Sequence, residues 1–190
     1  GMKDNEAQNI FELLARCADY GFNKSQAAAY ALISFQTAYL KTHYPLEFFA
    51  ASMTLDINNT DKLAIFQQEL SRMEIKLYPP DINSSDIYFV TDKNGIKYAL
   101  GAIKNVGIES MKDLVAERNK NGPFISFDNF LERVNISIAN KKTLEALACA
   151  GAFDSLEIKR EHIFNQSNEI VKALKDFKLK SESNQGDIFG

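Results

Sequence analysis

Lys104, Asn105, Gly107 and Lys112 stand together in one short stretch, LGAIKNVGIESMKDLVAER (residues 100–118), and they are the residues of this chain whose types and spacing suit chemistry. That chemistry is the holding of an anion. A helix that turns back through about three residues needs a positive φ, which Gly or Asn supplies at least cost. The first amides of the second helix then lack internal partners, and the helix dipole puts partial positive charge at that end. Acid–base and nucleophilic chemistry have little to work with. His43 and His162 are the two histidines, far apart and without Cys, Asp or Glu at ligand spacing. No Gly-x-Ser-x-Gly and no Gly-Lys-Ser/Thr phosphate loop is present. Asp56, Asp61, Asp81 and Asp86 fall in loop-like contexts, not as a close pair. No catalytic residue and no metal ligand set is assigned.

Asn105 and Gly107 bracket Val106, whose side chain suits burial between two helices, and Met111, Leu114 and Val115 make the second helix's inner face. This spacing matches the helix-hairpin-helix pattern, with Asn105 where the first glycine usually stands. A backbone phosphate can accept from the open amides, with Lys104 or Lys112 adding charge. Such contact holds duplex backbone without reading bases. The same pattern also suits a tight helical hairpin that binds nothing.

A weaker second copy lies at FLERVNISIANKKTLEALACAGAF. Its turn runs from Asn135 to Asn140, Lys141 and Lys142 open the next helix, and Gly151 closes it. Lysines at a helix start run against the dipole preference for acids. An anion docked between them would account for that; a solvated face would too.

The elements that must position these residues follow from pattern and punctuation. Residues 9–75 read as four amphipathic helices. Ile10, Phe11, Leu14, Cys17 and Ala18 form the first face, with Gly21 as its stop. Ser25 is a helix cap for the second, Pro45 ends it and can open the third, and Asn59 or Thr60 caps the fourth. IKLYPPDINSS marks a boundary, and DIYFVTDKNGIKYAL reads as a hairpin turning at Asn94-Gly95. A last helix uses Ile163, Ile170, Val171, Leu174 and Phe177, and residues 179–190 read as a polar, flexible tail.

Composition bounds the function classes. With 190 residues, 45% hydrophobic and 25% charged, the chain is an ordinary globular protein of one domain or two small ones. A net charge of −3 argues against a surface coated in nucleic-acid-binding charge but leaves room for focused phosphate contacts. No run approaches the ~18 apolar residues of a membrane span, and the start is no secretory signal. Cys17 and Cys149, both flanked by alanines, suit buried thiols in a reducing cytoplasm better than a disulfide.

GFNKSQAAAYALISFQTAYLKTHYPLEFFAASMT, LYPPDINSS, ALGAIKNVG and LEALACAGAFDSL, in that order, resemble the bacterial replicative DNA polymerase III alpha subunits. The resemblance covers roughly residues 9–156 and the tail. It implies a mainly α fold: 1–8 a vector-derived or flexible start, 9–75 the end of the polymerase fingers, 76–156 a small β-hairpin and tandem helix-hairpin-helix module, 157–178 an amphipathic helix, and 179–190 a flexible tail. It implies contacts to duplex (primer-template) DNA through Lys104, Asn105, Val106, Gly107, Lys112, Asn140, Lys141 and Lys142. Lys24 and Ser25 fall where the family approaches the incoming nucleotide's phosphates, with Gln26 where the family usually has His. Lys24-Ser25 equally suits an ordinary helix start. The parent would be a cytoplasmic DNA-directed DNA polymerase, a nucleotidyltransferase using Mg2+ held by palm aspartates that lie outside this chain. The chain alone is therefore expected to be inactive, to carry no cofactor and to have no membrane association.

One feature outside the helices raises three readings. Ile188 and Phe189 stand side by side after a polar stretch: an accident, a last core strand, or a plug for another protein's pocket. Gln185, Asp187, Ile188 and Phe189 resemble the Gln–x–x–aliphatic–Phe peptide with which bacterial replication proteins hold the sliding clamp. By that resemblance the partners are the clamp and other replicase subunits. The rival expectations are a free-standing helix-hairpin-helix DNA-binding adaptor, in which four helices over 9–75 are superfluous, and a purely structural interaction domain.

Overall fold

The computed structural model describes the backbone of residues 2–20 and 23–186. It divides into two compact units, Gly1–Pro45 and Leu46–Gly190.

The first unit holds α1 (Asp4–Tyr20) and α2 (Lys24–His43). α1 begins inside the stretch expected to be a flexible start. Asp4 and Glu6 in its first turn suit the positive end of the helix dipole, and the Lys3 carbonyl accepts from Glu6 and Ala7 amides. The cap of α2 is Asn23 rather than Ser25: its Oδ1 accepts from the Ser25 amide at 3.1 Å and the Ser25 hydroxyl at 2.8 Å. A short polar side chain outside the helix reaches these donors better than one already inside it. α2 has no buried residue, and Leu32, Ile33, Phe35, Tyr39 and Leu40 are all exposed.

The second unit holds α3 (Pro45–Leu55) from its second residue, Leu46, and α4 (Thr60–Arg72). Tyr44 ends α2 and Pro45 opens α3, as proline's fixed φ and missing N–H dictate. Of the two expected caps of α4, Asn59 serves, accepting from the Lys62 amide at 3.1 Å. A three-stranded sheet follows: β1 (Lys76–Tyr78), β2 (Val90–Asp92) and β3 (Gly95–Lys97), in the order β1-β3-β2. β2 pairs antiparallel with β3, Thr91 opposite Ile96, and β1 pairs parallel with β3, Leu77 opposite Ile96. The turn is Lys93-Asn94, one residue earlier than expected, because Gly95 is already a strand residue. A side chain at Gly95 would collide with the Lys76 carbonyl and lie 2.9 Å from the Tyr78 ring, so the close approach of β1 requires glycine.

Phe49, Met53, Leu63 and Leu70 from α3 and α4 share one core with Phe89, Ile96 and Ala99. Residues on both sides of position 75 therefore pack together. A second core is built by α5 (Ile108–Asn121), α6 (Phe127–Arg133), α7 (Lys141–Ala150), α8 (Arg160–Asn165) and α9 (Ser167–Gly186). At its centre Phe130 meets Phe124 and Phe153 edge-on, at centroid distances of 5.3 and 5.1 Å. The PPDINSSD segment is stitched to this core. Asn83 exchanges two hydrogen bonds with the backbone of Phe124, and the Arg118 guanidinium donates to the carbonyls of Ile82 and Ser85. Burial pulls the Arg118 pKa down, while Asp86 and Asp81 work against that shift.

The single last helix expected is two helices, parted at Gln166. Ser167, almost fully buried, donates its hydroxyl to Glu145 of α7 at 2.7 Å, which fixes where α9 begins. The backbone of α9 stays helical through Gly186, eight residues into the stretch expected as tail (179–186).

Candidate nucleic-acid interface

The first hairpin leads from a 3-10 turn (Leu100–Ala102) into α5. Asn105 alone carries the positive φ of the reversal, +69°. Gly107 is extended, at φ −79° and ψ 132°, and N-caps α5 without a side-chain hydrogen bond. Its missing side chain is not demanded by its neighbours: a Cβ there would meet just Ser110 Oγ, at 3.6 Å. The glycine leaves the backbone bare where the α5 amides open. Val106 is half-buried against the core, its amide donating to the Ile103 carbonyl at 3.1 Å, and Met111, Leu114 and Val115 are buried beneath it. Lys112 donates to Glu109 Oε1 at 2.7 Å, which raises its pKa above the ordinary lysine value. Its ammonium is thus occupied along α5.

The second hairpin joins α6 to α7 through residues 134–140. The Asn135 carbonyl accepts from the Ile138 and Ala139 amides, and those two side chains are buried. Asn140 caps α7: its Oδ1 accepts from the Thr143 amide at 3.1 Å, and its Nδ2 donates to the Ser137 carbonyl at 2.6 Å. The Asn140 amide group is thereby spent on the cap. α7 has no acid in its first turn, and Lys141 and Lys142 stand exposed there. Lys141 lies 3.8 Å from Glu145. Gly151 ends α7 in the left-handed region, at φ +81° and ψ 16°.

The two hairpins meet. A cleft of about 530 Å³ is lined by Lys104 and Asn105 from the first and by Lys142, Glu145 and Cys149 of α7, with Phe164 of α8. Lys112, Asn140 and Lys141 are not among its lining. Cys149 is exposed in this cleft rather than buried as expected, because it lies on the α7 face opposite Leu144, Leu147 and Ala148. Phe164, absent from the residues picked out by spacing, is 46% exposed beside fully buried Ile163. Helical periodicity marks Ile163 as core and leaves no signal at Phe164.

The remaining expected site residues lie elsewhere. Lys24 and Ser25 open α2 in the first unit and are exposed. Gln185 falls in the last turn of α9. Asp187, Ile188 and Phe189 lie outside the described residues. Among the described residues, no group of three or more His, Cys, Asp or Glu side chains is arranged to hold a metal ion, and no helix is long and apolar enough to cross a membrane.

Residues 74–163 match the helix-hairpin-helix motif family. Over 187 residues, 98% of its length, the chain is 47% identical to DNA polymerase III subunit alpha of Caulobacter vibrioides. Its counterparts in Xylella fastidiosa and Escherichia coli K12 are 44% and 41% identical over the whole chain. The chain belongs to the DNA polymerase III alpha subunit family. It spans about 16% of the length of each of these relatives. The helix-hairpin-helix match takes in both hairpins and the sheet of this polymerase III alpha segment, and stops one residue short of Phe164.

Proposed function

We propose that this chain is the part of a DNA polymerase III alpha subunit that grips duplex DNA by its backbone and ties the polymerase to its sliding clamp. The observation that carries the first half is the meeting of Lys104, Asn105 and Lys142 on one cleft, next to an α5 start with no side-chain cap. Unpartnered amides and two lysine ammonium groups suit phosphate oxygens and offer nothing that distinguishes one base from another. Lys112, Lys141 and Asn140 do not line the cleft: the two lysines are paired with glutamates, and Asn140 caps α7.

The parent's activity belongs to the same proposal. It is template-directed nucleotidyl transfer in the cytoplasm, with Mg2+ held by carboxylates outside this chain and with further replicase subunits as partners. Lys24 and Ser25 are proposed to stand near the incoming nucleotide's phosphates. The tail residues Gln185, Asp187, Ile188 and Phe189 are proposed to hold the clamp. A free-standing adaptor is not favoured, since the similarity extends across α1–α4 as well as the hairpins.

Duplex binding by the 190-residue chain, measured across a salt series with two unrelated sequences, tests the DNA half. Affinity that falls steeply with salt and is the same for both sequences is the expected result. Salt-independent binding or none would remove the reading.

A further inference from the structure

We infer that Phe164, together with Ile103, forms an apolar seat for the deoxyribose of a DNA strand whose flanking phosphates are held by Lys104 and Lys142. The inference rests on the duplex-binding reading proposed above and adds to it a non-ionic contact in which Phe164 of α8 lies outside both hairpins.

A half-exposed aromatic by itself means little, because single apolar residues are common on protein surfaces. Its surroundings give this one meaning. Ile163 anchors α8 in the core, and the next residue, Phe164, lines a cleft whose other walls carry Lys104 and Lys142. Ile103, Ala146 and Ala150 contribute further apolar lining. Glu145 lies in the same wall, its carboxylate held by the Ser167 hydroxyl at 2.7 Å. That carboxylate disfavours a phosphate beside it. The two lysines therefore suit phosphates, while the apolar lining suits an uncharged group between them. Along a duplex strand the uncharged group between successive phosphates is the sugar. Paired bases keep their faces stacked inside the helix and cannot offer them to the ring. A contact between Phe164 and deoxyribose is blind to sequence, as a backbone grip must be. It also releases no counterions, so it adds affinity without steepening the salt dependence.

The test is duplex binding by the 190-residue chain carrying Phe164→Ala, Phe164→Leu or Phe164→Gln, across a salt series, with single-stranded DNA alongside. Phe164→Ala is expected to weaken duplex binding about 10-fold at every salt concentration, the loss anticipated when part of an aromatic contact is removed. The slope of log affinity against log salt should equal that of the unaltered chain. Phe164→Leu should keep most of the affinity and Phe164→Gln should lose it. That comparison of similar volumes separates apolar contact from damage to the fold should the alanine variant melt early. Unchanged affinity in Phe164→Ala and Phe164→Gln would overturn the inference and leave the duplex reading standing. A flattened slope would overturn it too, by making the effect electrostatic. Loss confined to single-stranded DNA would assign the ring to an unpaired base instead. An unaltered chain that binds no duplex would overturn both readings at once.

Discussion

Lys104 and Lys142 belong to different hairpins and line the same cleft. The first follows the 3-10 turn ahead of α5 and the second lies in the opening turn of α7, so the packing of the two hairpins, and not either alone, brings the cations together. Each is expected to release counterions when a phosphate docks, and each contact contributes about 0.9 to the slope of log affinity against log salt. The double variant Lys104→Ala, Lys142→Ala should thus flatten the slope by about 1.8 and weaken binding equally for all sequences. Charge reversal at Lys141 and Lys142 should also flatten it. A salt titration followed by fluorescence anisotropy reads both, and an unchanged slope in the second would leave the α7 hairpin without a role in binding.

Two glycines with nearly equal φ should respond to alanine for different reasons. Gly122 sits at φ +82° and ψ 174°, a region essentially reserved for glycine, yet nothing lies within 4 Å of where its Cβ would be. Gly122→Ala should cost about 1–3 kcal/mol from backbone strain alone. Gly151, at φ +81° and ψ 16°, is in the milder left-handed region, but its Cβ would collide with the Arg160 guanidinium. Gly151→Ala is expected to cost about 1–2 kcal/mol in strain and to displace Arg160 as well. Urea unfolding of each variant, with and without Asp154→Asn, separates the two. The Asp154 change should matter less in the Gly151→Ala background than in the Gly122→Ala one.

Arg160 donates from Nε to Asp154 Oδ1 at 2.8 Å and from Nη2 to Oδ2. These hydrogen bonds hold the Asp154 carboxyl below the ordinary carboxylate range, against a smaller opposing push from burial. A lowered folded-state pKa means the contribution to stability is fully present above the ordinary Asp value of about 3.9 and is lost as pH falls through the lowered one. The difference in melting temperature between the unaltered chain and Asp154→Asn should hold steady from pH 7 to about pH 5 and shrink below about pH 4. A difference that grows on acidification would contradict the assignment. Glu117 should behave likewise, its pKa lowered by Asn121 first and Arg133 second.

How much of this was legible in the sequence depended on range. The helices α1–α4 could be read because Pro45 and Asn59 punctuate them locally. The φ of Asn105 could be read because a tight reversal needs one such residue. What escaped was set by distant partners. β1 is three residues beside two prolines, and it is a strand because β3 lies against it; Gly95 answers to Lys76, not to a turn. Residues 46–72 share a core with β3, so the composition break near Pro79 marks no gap in packing. Phe164 and Cys149 escaped for a related reason. Helical periodicity identifies the side chains that face the core, and these two line the cleft between hairpins.

The tail provides the remaining prediction. Ile188 and Phe189 are the dense apolar pair that a tethered peptide needs if a few anchors are to offset its ordering entropy. Their burial in a pocket of the clamp would contribute roughly 3–6 kcal/mol before that cost, enough for a weak peptide made effective by tethering. Removing the phenyl group of Phe189 and the amide of Gln185 together should therefore weaken clamp binding by at least about 30-fold, equivalent to about 2 kcal/mol. Surface plasmon resonance with immobilised clamp, comparing the 190-residue chain with its Gln185→Ala, Phe189→Ala variant, reads this directly. Duplex affinity should be the same in both, since Lys104 and Lys142 are untouched. Equal clamp binding by the two would move the clamp contact off the tail. Binding by neither would leave the duplex as the partner this segment serves.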